Sequence, residues 1–228
     1  LELAHIDYSF KPVKPIVVFE KPIMEQALLL TIPALFYGAM PNLALYSQPD
    51  GPCPNPMDLL PQGKIAEGKA SFEEAVEYAV KDMVYVGSEM YDTGADGITF
   101  DTTGAAGDAE FLAALNAAEI LRKKYPEIGI EMGMASEFIL GLHGELEYDG
   151  VRLAGLYPHD QVRLAQKAGV NIFGPAINIV TNKSTPFNLA RSVTYTKACS
   201  EAADIPVHAN LGMGVGGVPI VLSPPVDA

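Results

Sequence analysis

Cysteine, basic residues, histidine and long apolar runs are all scarce in this sequence. Only Cys53 and Cys199 occur among 228 residues, far apart and with no Cys-x-x-Cys spacing. That usage suits a reducing cytosol and excludes a disulfide framework or a cysteine-built structural zinc site. Lysine and arginine number 15 against 28 aspartates and glutamates, a formal net charge of -13. So acidic a chain is a poor match for nucleic acid, whose binding rests on cationic contacts to phosphate. No apolar run reaches the roughly 18 residues that span a bilayer. The longest, Ala27 to Met40, is interrupted by Thr31, Pro33 and Gly38, so no membrane association is expected. The first residues are charged and polar and lack an apolar h-region, so no signal peptide is read and a cytoplasmic protein is expected. Four histidines are present, and no two stand at i, i+3 or i, i+4. A metal held by the protein itself is therefore not expected.

What the chain has in quantity is apolar surface to bury, with 49% hydrophobic residues. One domain over 1–228 is the natural reading at this length. Its recurring unit is a helix, a glycine, then a short apolar strand, as at Gly94 to Ile98 and again at Gly169 to Phe173. Glycine supplies the left-handed turn that ends a helix, and near-continuous apolar strands after such corners mark βαβ units and a parallel sheet. Strands are predicted near Ile16–Phe19, Ile32–Tyr37, Gly97–Asp101, Ile128–Met132, Val170–Phe173 and Pro206–Ala209. Ser71-Phe72-Glu73-Glu74 reads as a capping box opening a helix that Gly94 ends. Asp108 reads as the N-cap of a helix from Ala109 to Lys124, which Arg122, Lys123 and Lys124 close favourably against the dipole. Thr185-Pro186 opens another helix, to about Ala203. Asp149-Gly150 between alternating apolar residues is a hairpin signal, and Pro41 to Gly63 reads as a long ordered loop. The fold class expected is α/β with a parallel sheet, and an eight-stranded TIM (β/α)8 barrel would be incomplete in this chain. Six strands do not close eight, and the chain begins at Leu1, so N-terminal and C-terminal parts are expected to lie outside it.

Polar groups gather at predicted strand ends: Asp101, Glu131, Asn178, His208 and Asn210. In α/β folds ligands bind at the carboxyl ends of parallel strands. Asp101 closes a strand just before Thr102-Thr103-Gly104-Ala105-Ala106-Gly107, either as a reactive carboxylate or as the cap of its own turn. Glu131 lies between Ile130 and Met132, where a carboxylate must be paired or protonated. As a lone histidine, His208 reads more readily as a hydrogen-bonded core residue, and His143 and His159 as surface residues. Leu211-Gly212-Met213-Gly214-Val215-Gly216-Gly217 follows a strand, but Pro219, Pro224 and Pro225 spoil the helix that a dinucleotide loop needs. Close approach of backbone to a flat, bulky cofactor or partner is the better use of those glycines.

With these segments in view, the chain resembles the dimethylamine methyltransferases of methylotrophic archaea. The resemblance is carried by His5-Ile6-Asp7-Tyr8-Ser9-Phe10-Lys11-Pro12-Val13-Lys14-Pro15 and Phe36-Tyr37-Gly38-Ala39-Met40-Pro41-Asn42. It continues through Phe100-Asp101-Thr102-Thr103-Gly104-Ala105-Ala106-Gly107-Asp108 and Gly212-Met213-Gly214-Val215-Gly216-Gly217. It implies a TIM-barrel enzyme of methanogenesis that moves a methyl group from dimethylamine to the cobalt of a cognate corrinoid protein, and we expect a homo-oligomer. In that family an in-frame amber codon encodes pyrrolysine, whose electrophilic imine binds the amine. The matching segment Ser223-Pro224-Pro225-Val226-Asp227-Ala228 precedes that position, so the pyrrolysine is expected downstream and the isolated chain is expected to be inactive. On this resemblance Asp101 and Glu131 would stabilise the cationic amine adduct, while His208 and Asn210 would orient the ring or its adduct. Gly212, Gly214, Gly216 and Gly217 would help receive the corrin. Other readings are a corrinoid methyltransferase working without pyrrolysine, another barrel enzyme such as a lyase using paired carboxylates, and an inactive fragment that only docks a corrinoid protein.

Overall fold

A computed structural model describes residues 36–39, 43–100, 103, 107–135, 137–177 and 186–209. Strand β1 (Phe36–Ala39) is followed by a 3-10 turn at Leu43–Tyr46, helix α1 (Pro56–Leu59) and a second 3-10 turn at Leu60–Gln62. Then come α2 (Ile65–Asp92), β2 (Gly97–Phe100), α3 (Asp108–Lys124) and β3 (Gly129–Ala135). The hairpin β4 (Glu147–Tyr148) and β5 (Val151–Arg152) precedes α4 (Pro158–Lys167), β6 (Ile172–Pro175) and α5 (Pro186–Ala202).

Four strands form one parallel sheet in the order β1-β2-β3-β6, as the helix–glycine–strand corners predict. Gly94 (φ 106°) and Gly169 (φ 92°) adopt the left-handed conformation that ends α2 and α4. The segment predicted as a last strand at Pro206–Ala209 makes a single parallel bridge, Val207 to Phe173. The predicted strand Ile16–Phe19 lies outside the described residues. Asp149 (φ 51°) and Gly150 (φ 72°) both take positive φ, the geometry of a tight two-residue hairpin turn.

Two predicted helix starts are corrected. Helix α2 begins at Ile65, so Ser71 is inside it rather than capping it, and its hydroxyl donates to the Pro54 carbonyl. Helix α3 begins at Asp108 itself, with Gly107 in the cap position. Its carboxylate does accept the Ala109 N–H, yet it serves mainly another segment, described below.

Alternation along the strands divides the sheet into two faces. Ile98, Phe100, Ile130 and Met132 are fully buried on the helix side, and Gly87 of α2 lies against Ile98 and Leu121. Helix α3 is buried on nearly every side: Ala109, Ala113, Ala114, Ala117 and Ala118 are all fully buried, and Ile120 is exposed. Cys53 and Cys199 are free thiols within this core. Burial pushes the Cys199 thiol up to about 12, leaving it protonated at neutral pH. Among the described residues no helix is long and apolar enough to cross a membrane.

Candidate active site

The opposite face of the sheet carries Thr99 and Glu131, which stand directly across from one another in the β2–β3 ladder. The Thr99 hydroxyl donates to Glu131 Oε2 at 2.9 Å. His208 Nδ1 lies 2.8 Å from Glu131 Oε1. Both carboxylate oxygens are thus engaged, satisfying the requirement that a buried carboxylate be partnered. The Glu131 side chain is 12% exposed, whereas that of His208 is 62% exposed. The carboxylate is therefore set back, with the imidazole in front of it.

His208 reaches this position by main-chain contacts to β6. Its N–H donates to the Phe173 carbonyl at 2.9 Å, while Phe173 N–H donates to Pro206 O at 3.0 Å. Close approach depends on Gly174, where a Cβ would lie 3.0 Å from the His208 carbonyl oxygen and 3.1 Å from Gly133 Cα.

Of the residues singled out from sequence, the structure brings Glu131 and His208 together. Asp101, Asn178, Asn210 and the glycines Gly212, Gly214, Gly216 and Gly217 lie outside the described residues. Thr99 was not singled out, although a signal for it exists. Gly97-Ile98-Thr99-Phe100 and Gly129-Ile130-Glu131-Met132 share a Gly-Ile-x-apolar pattern and pair residue for residue. Aligning the two repeats sets Thr99 opposite Glu131.

A second histidine departs from its expected place. His143 is buried rather than on the surface, with Nε2 2.8 Å from Glu73 Oε1 of α2. The cause is Asp108, itself fully buried. Its carboxylate accepts the N–H groups of His143 at 3.1 Å and Gly144 at 2.7 Å. Its own N–H donates to Leu140 O at 2.8 Å. The segment after β3 is thereby clasped to the N-terminus of α3, where the helix dipole favours a carboxylate. Gly107 is part of the clasp: it has φ 103°, and a Cβ there would stand 2.5 Å from the Leu140 carbonyl oxygen. Gly107→Ala is expected to destabilise the fold by about 2–3 kcal/mol, from strain plus that clash. A urea midpoint unchanged within error would contradict it.

Among the described residues no group of three or more histidine, cysteine, aspartate or glutamate side chains could hold a metal ion. The chemistry available at Glu131 and His208 is electrostatic and proton-transferring.

Among solved structures, the chain is similar to the homocysteine methyltransferase MmuM from Escherichia coli in its metallated form. That match has 14% identity, covers 81% of this chain and 93% of that one, and has a TM-score of 0.30. The oxidized form of the same protein matches at 14% identity over 75% of this chain and 74% of that one, with a TM-score of 0.28. Neither likeness is close enough to inform the chemistry here. The model of the family Dimethylamine methyltransferase (Dimeth_PyL) matches residues 1–228, and the chain belongs to that family.

Proposed function

We propose that this protein transfers a methyl group from dimethylamine to the cobalt of a corrinoid carried by a separate cognate protein. The observation that carries the reading is a partnered carboxylate behind an exposed imidazole, Glu131 and His208, in a chain of the dimethylamine methyltransferase family. A methylated amine bound for transfer is cationic, and carboxylates are its natural electrostatic partners. Reduced cobalt supplies the nucleophile, so the protein has to orient and activate the amine.

In this reading the four parallel strands are an arc of a (β/α)8 barrel, with the site at its mouth. Asp101 and Glu131 provide negative charge, and His208 and Asn210 orient the amine-bearing group. Gly212, Gly214, Gly216 and Gly217 let main chain approach the flat corrin. The electrophile that binds the amine is a pyrrolysine encoded beyond Ala228. The setting is the cytoplasm of a methylamine-consuming methanogenic archaeon, in a homo-oligomeric enzyme.

The test is twofold. The gene should read through an in-frame amber codon downstream of Ala228, and the complete gene product should methylate reduced corrinoid protein when given dimethylamine. A reading frame without the codon removes the pyrrolysine, and absence of transfer removes the reaction. Asp101→Asn in the complete protein is expected to lower the transfer rate by about a hundredfold without changing the melting temperature, since it deletes one stabilising charge at the cationic centre. Unchanged kinetics would remove Asp101 from the site.

A further inference from the structure

We propose that His208 is the base that takes a proton from the incoming dimethylammonium ion, and that Glu131 and Thr99 are positioning residues that hold it in the tautomer able to do so. The assignment rests on dimethylamine being the substrate.

The argument begins with the hydrogen-bond inventory of the dyad. An ionised carboxylate can only accept. With Nδ1 2.8 Å from Glu131 Oε1, the ring hydrogen sits on Nδ1, and the lone pair of the neutral ring is on Nε2. The second carboxylate oxygen receives the Thr99 hydroxyl at 2.9 Å, so rotation of Glu131 would break a bond on each side. The main chain is fixed as well, through His208 N–H to Phe173 O and the close approach at Gly174. Among the described contacts, Glu131 of β3 brings a charge against the ring.

Exposure sets the order in which a substrate meets these groups. His208 presents 62% of its side chain and Glu131 12%. An amine arriving at the dyad reaches the imidazole first. A second histidine–glutamate pair among the described residues is built the opposite way, with 4% of the His143 side chain exposed and 59% of Glu73. There the ring is sealed inside the clasp and the carboxylate faces outward. Of these two pairs, Glu131–His208 is the one arranged to pass a proton to an incoming molecule.

The reaction needs such a step. An alkylammonium group keeps its proton to a pH of about 10, taking lysine as the guide. While protonated, the nitrogen has no electron pair with which to add to an electrophile. In the proposed step one N–H bond of dimethylammonium breaks and its electron pair stays on nitrogen. The proton forms a bond to Nε2 of His208. The imidazolium is stabilised by the Glu131 carboxylate on its far side, and its exposed ring can return the proton to solvent. Glu131 therefore acts through the histidine rather than on the amine directly.

The experiment uses the complete gene product with dimethylamine and reduced corrinoid protein, followed by the absorbance change on cobalt methylation. His208→Ala is expected to cut the rate at pH 7 by about a hundredfold or more. Added imidazole should restore part of it, with no effect on the unsubstituted enzyme. The variant's rate should also climb about tenfold per pH unit as free amine replaces the ammonium form. His208→Gln can still donate to Glu131 yet cannot take the proton, so it should be as slow as the alanine variant. Thr99→Val should cost about tenfold, the scale of one hydrogen bond to a charged group.

Variants as fast as the unsubstituted enzyme would overturn the assignment. So would slow variants that respond to neither imidazole nor pH, which would mark His208 as structural. If the unsubstituted enzyme transfers no methyl group at any pH, the reaction itself is wrong, and the assignment falls with it.

Discussion

Glu131→Gln in the complete enzyme is expected to lower kcat/KM for dimethylamine by about 10²- to 10⁴-fold, with little change in melting temperature. Glutamine has nearly the same shape, so packing between Ile130 and Met132 is preserved. Its amide differs in two respects that matter here. It carries no charge to stabilise an imidazolium or a cationic amine. It also has one acceptor and one donor group where Glu131 has two acceptors. Thr99 and His208 both donate to Glu131, through Oε2 and Oε1. The amide cannot accept from both, so whichever way it is turned, one of the two partners must change from donor to acceptor. If the amide nitrogen faces His208, the ring must put its lone pair on Nδ1 and its hydrogen on Nε2, the wrong tautomer for taking a proton. Steady-state kinetics together with a thermal melt checks this. Activity within about threefold of the unsubstituted enzyme, with an intact fold, would place Glu131 outside the mechanism.

The second large effect concerns stability. Asp108→Ala is expected to lower unfolding free energy by about 3–5 kcal/mol, the scale for breaking a buried charged network. The fully buried carboxylate accepts hydrogen bonds from the N–H groups of Ala109, His143 and Gly144. Alanine leaves the His143 and Gly144 donors without that acceptor, and also removes a negative charge from the positive end of α3. For a domain of this size the loss corresponds to a fall in melting temperature of about 6–20 °C. Asp108→Asn should sit between the two, because it keeps one acceptor and loses the charge. A melting temperature within about 2 °C of the parent would mean that the clasp contributes little.

How much of this was legible beforehand depended on whether a residue's role was local. The parallel sheet could be read because the corners at Gly94 and Gly169 are short motifs: a helix, a glycine with positive φ, an apolar strand. Glu131 stood out because a carboxylate between isoleucine and methionine contradicts its neighbours. Its partner His208 looked ordinary by itself, and what ties it to Glu131 is the long-range bridge of Val207 to Phe173. Thr99 is a common strand residue whose importance comes from cross-strand register alone. The errors have the same cause. Ser71 fits a capping box locally, but the helix extends back to Ile65, with Gly68 packed against Leu60, and the serine hydroxyl is used on Pro54. Asp108 reads correctly as a carboxylate that accepts backbone N–H groups. Most of those groups come from a segment 35 and 36 residues away in the chain. No local pattern specifies that.

Helix α3 has a consequence for how this protein can change over generations. Its buried alanines lie in the core where the helix packs on α2, so each is held to its small size more tightly than its plain chemistry suggests. An added methylene at Ala113 or Ala117 has nowhere to go without displacing its packed neighbours. Drift along this helix is therefore channelled to its outward positions, Ile120, Lys123 and Lys124. Lineages that diverge widely at the surface should still share a helix of nearly constant girth behind the site.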